Sequence, residues 1–356
     1  MKCGYCFYSD VTDIRAVKNR GIMTENTLEM LVKKALSAAE KYCIFGFQGG
    51  EPTLAGLDFF KKLIELEKKY NVNNVQISHA LQTNGLLIDN EWAEFFHINK
   101  FLIGLSIDAA KQIHDFYRTD IHGNGTHKRC MAAAQIFLKN NVEFNILSVL
   151  TGQYAKHPVK AYNFYKQNNF RYIQFIPCLD GLNEQHGVNI FSLDVKTYSK
   201  FLCQIFDLWY TDLINGDYYS IRIFDNYIQM LAGKPAENCA MNGVCSAIAV
   251  VEADGNVYPC DFYAVDEYLL GNINTNGFEE MLTGEKADAF IAPSRHINQA
   301  CLKCDFHFIC RGGCRRDREP VIDGIPVKNY YCEAYKKFFE YSLPRMQTIA
   351  RDVRFN

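Results

Sequence analysis

Apolar positions switch between two periods along the first half of the chain. Between residues 24 and 42 they fall at Leu28, Leu31, Val32, Ala35 and Leu36, the spacing of a helix with one buried face, and Thr24 with Glu25 supplies a start signal. Residues 43–48 follow as a short apolar run with strand character. The succession then repeats, with predicted helices at 57–70, 89–99, 127–140 and 158–168 alternating with predicted strands at 75–81, 101–107, 143–149 and 172–176. Strands that read as nearly continuous apolar runs between helices imply parallel strands covered by helices, an α/β fold. Five strands are counted, and none precedes Cys3. Beyond them, 193–215 reads as a long amphipathic helix and 222–231 as another.

Composition narrows the class. With 356 residues and 48% hydrophobic content, the chain can bury a large core, enough for one big domain and one or two smaller ones. A net charge of -2 supplies no field for drawing in nucleic acid, which is therefore excluded as a partner. No run of about 18 apolar residues and no signal-peptide succession are present, so the expectation is no membrane partner and a cytoplasmic location. In that reducing compartment, 14 cysteines in tight clusters read as metal ligands rather than disulfides.

In parallel α/β folds chemistry collects at the carboxyl ends of the strands. Here those ends read Gln48-Gly-Gly-Glu-Pro52, Gln82-Thr-Asn-Gly85 and Ser106-Ile-Asp108. Gly49 and Gly50 let a ligand approach the backbone, and Glu51 can accept from an ammonium group. Each alone is an ordinary β-to-α turn; three on one rim indicate a ligand site. Cys3-Gly-Tyr-Cys6 alone could be a redox dithiol, half a zinc site, half an iron-sulfur site or two buried thiols. The carboxyl third carries Cys239-x5-Cys245-x14-Cys260 and Cys301-x2-Cys304-x5-Cys310-x3-Cys314-x17-Cys332, enough for two four-thiolate sites. Spacing alone does not separate zinc from iron-sulfur.

Cys3-Gly-Tyr-Cys6 followed by Gly49-Gly-Glu-Pro52 at the end of the next strand resembles the radical S-adenosylmethionine (SAM) superfamily. Its signature, Cys-x3-Cys-x2-Cys, holds a [4Fe-4S] cluster through three thiolates and leaves one iron for SAM. Cys3 and Cys6 match the second and third cysteines; the first would fall two positions before Met1, and the family's first barrel strand would lie further upstream. The expectation is a start assigned too late, leaving a partial (β/α)6 TIM-like barrel whose first cluster lacks one ligand in this chain. The alternative is a degenerate protein that no longer cleaves SAM.

Joined to the carboxyl third, the pattern resembles radical SAM enzymes with a SPASM domain, and among them the anaerobic sulfatase-maturating enzymes. The residues that carry this are Cys3-Gly-Tyr-Cys-Phe-Tyr8, Phe47-Gln-Gly-Gly-Glu-Pro-Thr-Leu-Ala-Gly56, Leu81-Gln-Thr-Asn-Gly85, Tyr258-Pro-Cys-Asp-Phe-Tyr263, Cys310-Arg-Gly-Gly-Cys-Arg-Arg316 and Asn329-Tyr-Tyr-Cys332. The resemblance implies a radical SAM barrel over 1–220, a linking helix over 221–238, a cysteine-rich SPASM domain over 239–332 and a terminal helix over 333–356. It implies three [4Fe-4S] clusters. Cys3 and Cys6 serve the first, Cys239, Cys245, Cys260 and Cys314 an auxiliary one, and Cys301, Cys304, Cys310 and Cys332 the other. Cys43, Cys130, Cys178 and Cys203 are left as buried free thiols.

The implied reaction oxidises a cysteine or serine of an unfolded sulfatase polypeptide to Cα-formylglycine. A 5'-deoxyadenosyl radical takes the β-hydrogen, Asp261 acts as base, and an auxiliary cluster takes the second electron; the cofactor carries the radical chemistry and the protein aims it. Without the resemblance, Asp261 would be a turn-capping residue after Pro259. Tyr5, Gly50, Ser106, Arg118 and Leu179, with the Gly49 and Glu51 turn, are the implied SAM contacts, Arg118 holding the methionine carboxylate with its fork. Tyr8 lies near the substrate. The implied electron donor is a flavodoxin or ferredoxin, and the chain is expected to be a monomer. Two alternatives stand beside this reading: a SPASM maturase of another peptide, for example forming a thioether, and a non-catalytic cluster- or zinc-bearing protein that binds polypeptide.

Overall fold

The computed structural model describes residues 1–354. In chain order it places strand β1 (Lys2–Cys3), helices α1 (Phe7–Ile14) and α2 (Glu25–Ala38), then β2 (Tyr42–Phe47), α3 (Leu57–Tyr70), β3 (Gln76–Thr83), α4 (Asn90–Ile98) and β4 (Phe101–Ser106). There follow α5 (Lys111–Tyr117), β5 (Arg118–Thr119), α6 (His127–Lys139), β6 (Phe144–Leu150), α7 (Pro158–Gln167), β7 (Tyr172–Pro177), α8 (Val195–Ile214), β8 (Ser220–Ile221) and α9 (Arg222–Leu231). The major sheet has six strands, all parallel, in the order β2-β3-β4-β6-β7-β8. This is one strand more than the five expected. Ser220 and Ile221 pair with Tyr172 and Ile173, so the expected boundary at residue 220 divides a strand of the sheet.

The helices form where the apolar stripe predicts them and end by identifiable devices. The Thr24 side chain accepts from the Thr27 amide at 3.2 Å to start α2, and Asp89 accepts from the Trp92 amide at 3.0 Å to start α4. Their inner faces cover the sheet. Phe60 of α3 is fully buried, with the rings of Phe47, Phe59, Trp92 and Phe101 at 5.1, 5.3, 5.5 and 6.2 Å. On the central strands Ile103, Leu105, Ile146 and Leu150 are likewise buried. At the outer edge of β2, Tyr42 and Ile44 are exposed, so the continuous apolar run there does not mean burial on both faces.

The cysteine-rich third is built on a small antiparallel sheet of Val250–Val251, Asn256–Tyr258 and Gly271–Asn272. Two arginines tether it to the front of the chain. Arg15, one residue past α1, donates to the Ala264 carbonyl and ion-pairs Glu252 at 2.6 Å. Arg20 pairs with Asp254 and donates to the Tyr258 hydroxyl at 2.9 Å. A final helix, Cys332–Arg354, returns to the barrel, where Phe338 stacks on Phe224 of α9 at 5.6 Å. The cysteine-rich part is thereby fastened at both of its ends.

Candidate active site

The end of β2 turns through Gly49 at φ +84° and Gly50 at φ +56°, backbone that side chains resist. Glu51, expected to accept from a ligand ammonium, is also held by the protein's own donors. Its Oε1 accepts from the Thr53 amide (3.2 Å), the Thr53 hydroxyl (2.7 Å) and the Thr83 hydroxyl (2.7 Å), and its Oε2 from the Asn84 amide (2.8 Å). The carboxylate thus ties the end of β2 to the end of β3 and shapes the rim. A Cβ on Gly49 would stand 3.1 Å from Cε1 of Tyr8. Gly49→Ala is therefore expected to cost about 1–2 kcal/mol from the left-handed backbone and to push the Tyr8 ring aside. A melting curve checks the first effect, and the affinity for a substrate peptide the second.

The Cys3–Cys6 loop is pinned to this rim. β1 pairs antiparallel with β5, setting Cys3 opposite Arg118, and the Gly4 amide donates to the Tyr117 carbonyl at 3.0 Å. Between the cysteines, the Tyr5 hydroxyl donates to Asp108, two residues beyond β4. The same carboxylate takes Arg118 Nε at 2.8 Å and the Val149 amide at 2.8 Å. Arg118 is 6% exposed, with its guanidinium 5.4 Å from the Tyr5 ring centre and Nη1 3.8 Å from Cys3 Sγ. It is a buried residue of the site and not a surface arginine. Behind it, fully buried His114 accepts from the Asp108 amide through Nδ1, and its Nε2 meets Thr126 Oγ1 at 3.1 Å. Burial holds the His114 pKa down to about 4, so the ring is neutral and carries its proton on Nε2. Ser106 closes β4 and Leu179 lies two residues past β7, so every expected SAM contact stands on the same rim. Of these, Tyr5 and Arg118 touch.

Asp261 arrives from the cysteine-rich part. Its Oδ2 accepts from Gln48 Nε2 at 2.9 Å, and its Oδ1 from the Phe262 amide at 3.1 Å, with Cys260 Sγ at 3.4 Å. Gln48 immediately precedes Gly49, so this contact closes the gap between the two parts of the chain. Tyr8 lies beside them, and its hydroxyl is buried without a hydrogen-bond partner. Burial, then the Asp261 carboxylate, push the Tyr8 phenol well above its ordinary pKa, so it is a protonated donor lacking an acceptor. Gln48, Asp108 and His114 escaped the sequence reading as functional residues. The first two lie at strand ends of the rim; His114 carries no sequence signal.

All 14 cysteines are free thiols. Cys301, Cys304, Cys310 and Cys332 line a single cavity, as a multi-atom group requires. Cys239, Cys245, Cys260 and Cys314 are near enough for their charges to act on one another. Among the described residues, no three His, Cys, Asp or Glu side chains converge on a point suited to one ion. Burial pushes the Cys310 thiol up to about 11, and those of Cys260 and Cys314 further, a burden that metal coordination removes. These donor sets fit iron-sulfur groups. Of the four remaining cysteines, Cys130 and Cys178 are buried, whereas Cys43 and Cys203 are only half-buried.

A parallel barrel-like sheet with a glycine rim, a Cys-x2-Cys loop pinned to it and two further thiol sets define a radical SAM enzyme with an iron-sulfur-binding extension. In agreement, the radical SAM superfamily matches residues 1–165, and the SPASM iron-sulfur cluster-binding domain matches residues 239–305. A cysteine-type anaerobic sulfatase-maturating enzyme of Clostridium perfringens is 47% identical over 99% of this chain and 96% of its own length. A cysteine-type enzyme of Clostridium novyi is 41% identical over 100% and 95%, and a serine-type one of Bacteroides thetaiotaomicron 31% over 99% and 89%. The chain belongs to the anaerobic sulfatase-maturating enzymes. Its fold superposes on native anSMEcpe with bound AdoMet and Kp18Cys peptide at a TM-score of 0.95, with 47% identity, covering 99% of this chain and 96% of that one. Streptococcus suis SuiB, at 17% identity, a TM-score of 0.63 and coverage of 93% and 74%, shares the fold alone.

Proposed function

We propose that this protein oxidises a cysteine of an unfolded sulfatase segment to Cα-formylglycine, with Asp261 as the base. The observation that carries the reading is the Asp261–Gln48 contact at 2.9 Å, which sets a carboxylate of the cysteine-rich part against the glycine rim of the barrel. The preference for cysteine over serine rests on the 47% and 41% identities to cysteine-type enzymes.

In this reading Cys3 and Cys6 hold the first iron-sulfur group, and the two four-cysteine sets hold the auxiliary ones. When bound, these groups and SAM supply the 5'-deoxyadenosyl radical that removes the β-hydrogen and the acceptor for the electron that leaves. The chain's own residues do the rest. Gly49 and Gly50 let the methionine moiety lie against the backbone, and Arg118 Nη2, which makes no hydrogen bond within the described residues, faces its carboxylate. Asp261 takes the thiol proton. The orphaned Tyr8 hydroxyl donates to the substrate, supplying the acceptor it lacks. Loss of one hydrogen atom, one proton and one electron turns the side chain into a thioaldehyde; water then releases hydrogen sulfide and leaves the aldehyde. The peptide binds extended, before its sulfatase folds, to a monomer of this chain, and a small flavodoxin or ferredoxin supplies electrons.

The test uses the full-length, anaerobically reconstituted protein with SAM, strong reductant and a cysteine-containing sulfatase-motif peptide. 5'-Deoxyadenosine, sulfide and hydrazide-reactive peptide should appear in equal amounts. A thioether product, or nucleoside without any peptide change, would sink the reading.

A further inference from the structure

The surroundings of the two four-cysteine sets differ in charge. Around Cys301, Cys304, Cys310 and Cys332, the lining of the cavity includes His307, Lys328 and Lys336 and no Asp or Glu, although both lysines pair with Glu333, beside Cys332, at 2.9 and 3.8 Å. A second, adjoining cavity shares Cys301 and is lined by His296, His307, Arg311, Arg318 and Lys328, again without a carboxylate. Around the other set, a carboxylate touches the ligands: Asp261 Oδ1 is 3.4 Å from Cys260 Sγ. Of the arginines nearby, Arg315 is paired with Glu319 at 3.5 Å and Arg222 with Glu237 at 2.9 Å, whereas Arg316 donates to a backbone carbonyl.

Arg318, whose charge acts on Cys301, is likewise without a carboxylate partner. It is 5% exposed, yet no carboxylate of the described residues lies within ion-pair distance, its sequence neighbour Asp317 included. Its Nη2 has only the Gly243 and Ser294 carbonyls, at 3.3 and 3.4 Å, and its buried Nε has no partner. A buried, unpaired guanidinium costs several kcal/mol, on the order of the penalty for breaking a buried ion pair, unless another negative charge answers it. The buried Asp317 carboxylate acts on Arg316 and Arg318 together from beyond that distance, and the further negative charge beside Arg318 is that of the four-thiolate set, whose Cys301 feels the guanidinium.

We propose that Arg318, with Arg311 near it, is a fixed counter-charge that raises the reduction potential of the group held by Cys301, Cys304, Cys310 and Cys332. The proposal rests on the cluster assignment given under Proposed function. Its physical basis is that an added positive charge in a poorly solvated site favours the more reduced, more negative state. The sequence of residues 315–318 thus divides its labour: Arg315 sits in the aromatic box of Tyr263, Tyr268 and Phe290, Arg316 donates to the Asp180 carbonyl at 2.5 Å, and Arg318 serves the cysteines.

Potentiometric titration followed by electron paramagnetic resonance on the full-length, reconstituted protein tests this, with each signal assigned by its loss in Cys304→Ala or Cys245→Ala. Arg318→Gln should shift the Cys304-dependent signal to lower potential and leave the Cys245-dependent signal in place. Arg318→Lys should restore most of the shift, and the exposed control Arg295→Gln should change neither. Unchanged potentials in Arg318→Gln at full iron and sulfide content would overturn the proposal. Should Arg318→Gln fail to load iron, Arg311→Gln decides in its place: a downward shift supports the proposal and none overturns it. Zinc in place of iron in the wild-type protein would instead remove the cluster assignment itself.

Discussion

Asp261→Asn is expected to cut formylglycine formation by about 10²–10⁴-fold, the usual worth of a positioned base, while SAM cleavage continues. The amide matches the carboxylate in shape. It can keep the Phe262 amide on its oxygen and meet Gln48 through a flipped carboxamide, so the contact that joins barrel and cysteine-rich part survives. What disappears is the proton acceptor. In the proposed mechanism the β-hydrogen is removed before that acceptor is needed, so the readout is a ratio: 5'-deoxyadenosine formed per peptide oxidised should rise steeply. A variant that keeps the wild-type ratio would show that the proton leaves by another route, and Asp261 would then be only a bridge to Gln48. Parallel loss of both products would indicate instead that the substrate pose had been disturbed.

The extent to which this architecture could be read from the sequence follows the range of the interactions concerned. Helices α3 and α9 lie within the bounds that periodicity predicts, because their stripes depend on residues within two turns. Ser220–Ile221 was missed as a strand because two residues carry no period; it is defined by its partner Tyr172–Ile173, nearly fifty residues earlier. The Cys-x2-Cys loop and the glycine rim announced themselves through spacing, whereas the partition of the carboxyl cysteines came from the family resemblance alone. Asp108 did not. Its role depends on Tyr5, 103 residues before it, and on Val149, 41 after it. Glu51, singled out for a ligand, has a second role that the sequence does not show, its carboxylate being held by Thr53, Thr83 and Asn84. Likewise Arg315, Arg316 and Arg318 look like a solvated basic run, yet each is at most 5% exposed. Ring stacking and carbonyls from distant segments decide that burial, and no local pattern encodes them.

Asp108 is the residue whose loss should do the most structural damage. Its carboxylate is 2% exposed and receives Tyr5, Arg118 and the Val149 amide, joining the Cys3–Cys6 loop, β5 and β6. Asp108→Ala leaves the Arg118 guanidinium buried and unpaired, a change that costs about 3–5 kcal/mol. For a protein whose whole stability is on the order of 5–15 kcal/mol, that is a large fraction. The melting temperature should fall sharply, and SAM affinity with it, since the freed Tyr5 and Arg118 no longer hold the wall around Cys3. Two effects are combined in that result, and a second variant separates them. Asp108→Ala with Arg118→Met removes both charges from a buried site, and replacing a buried pair by apolar groups is often neutral or better. The double variant should therefore recover much of the lost melting temperature while its SAM affinity, measured by anaerobic equilibrium dialysis, stays low. Recovery of both would mean that Arg118 acts only through stability; recovery of neither would mean that Tyr5, left without its acceptor, is what the fold cannot spare.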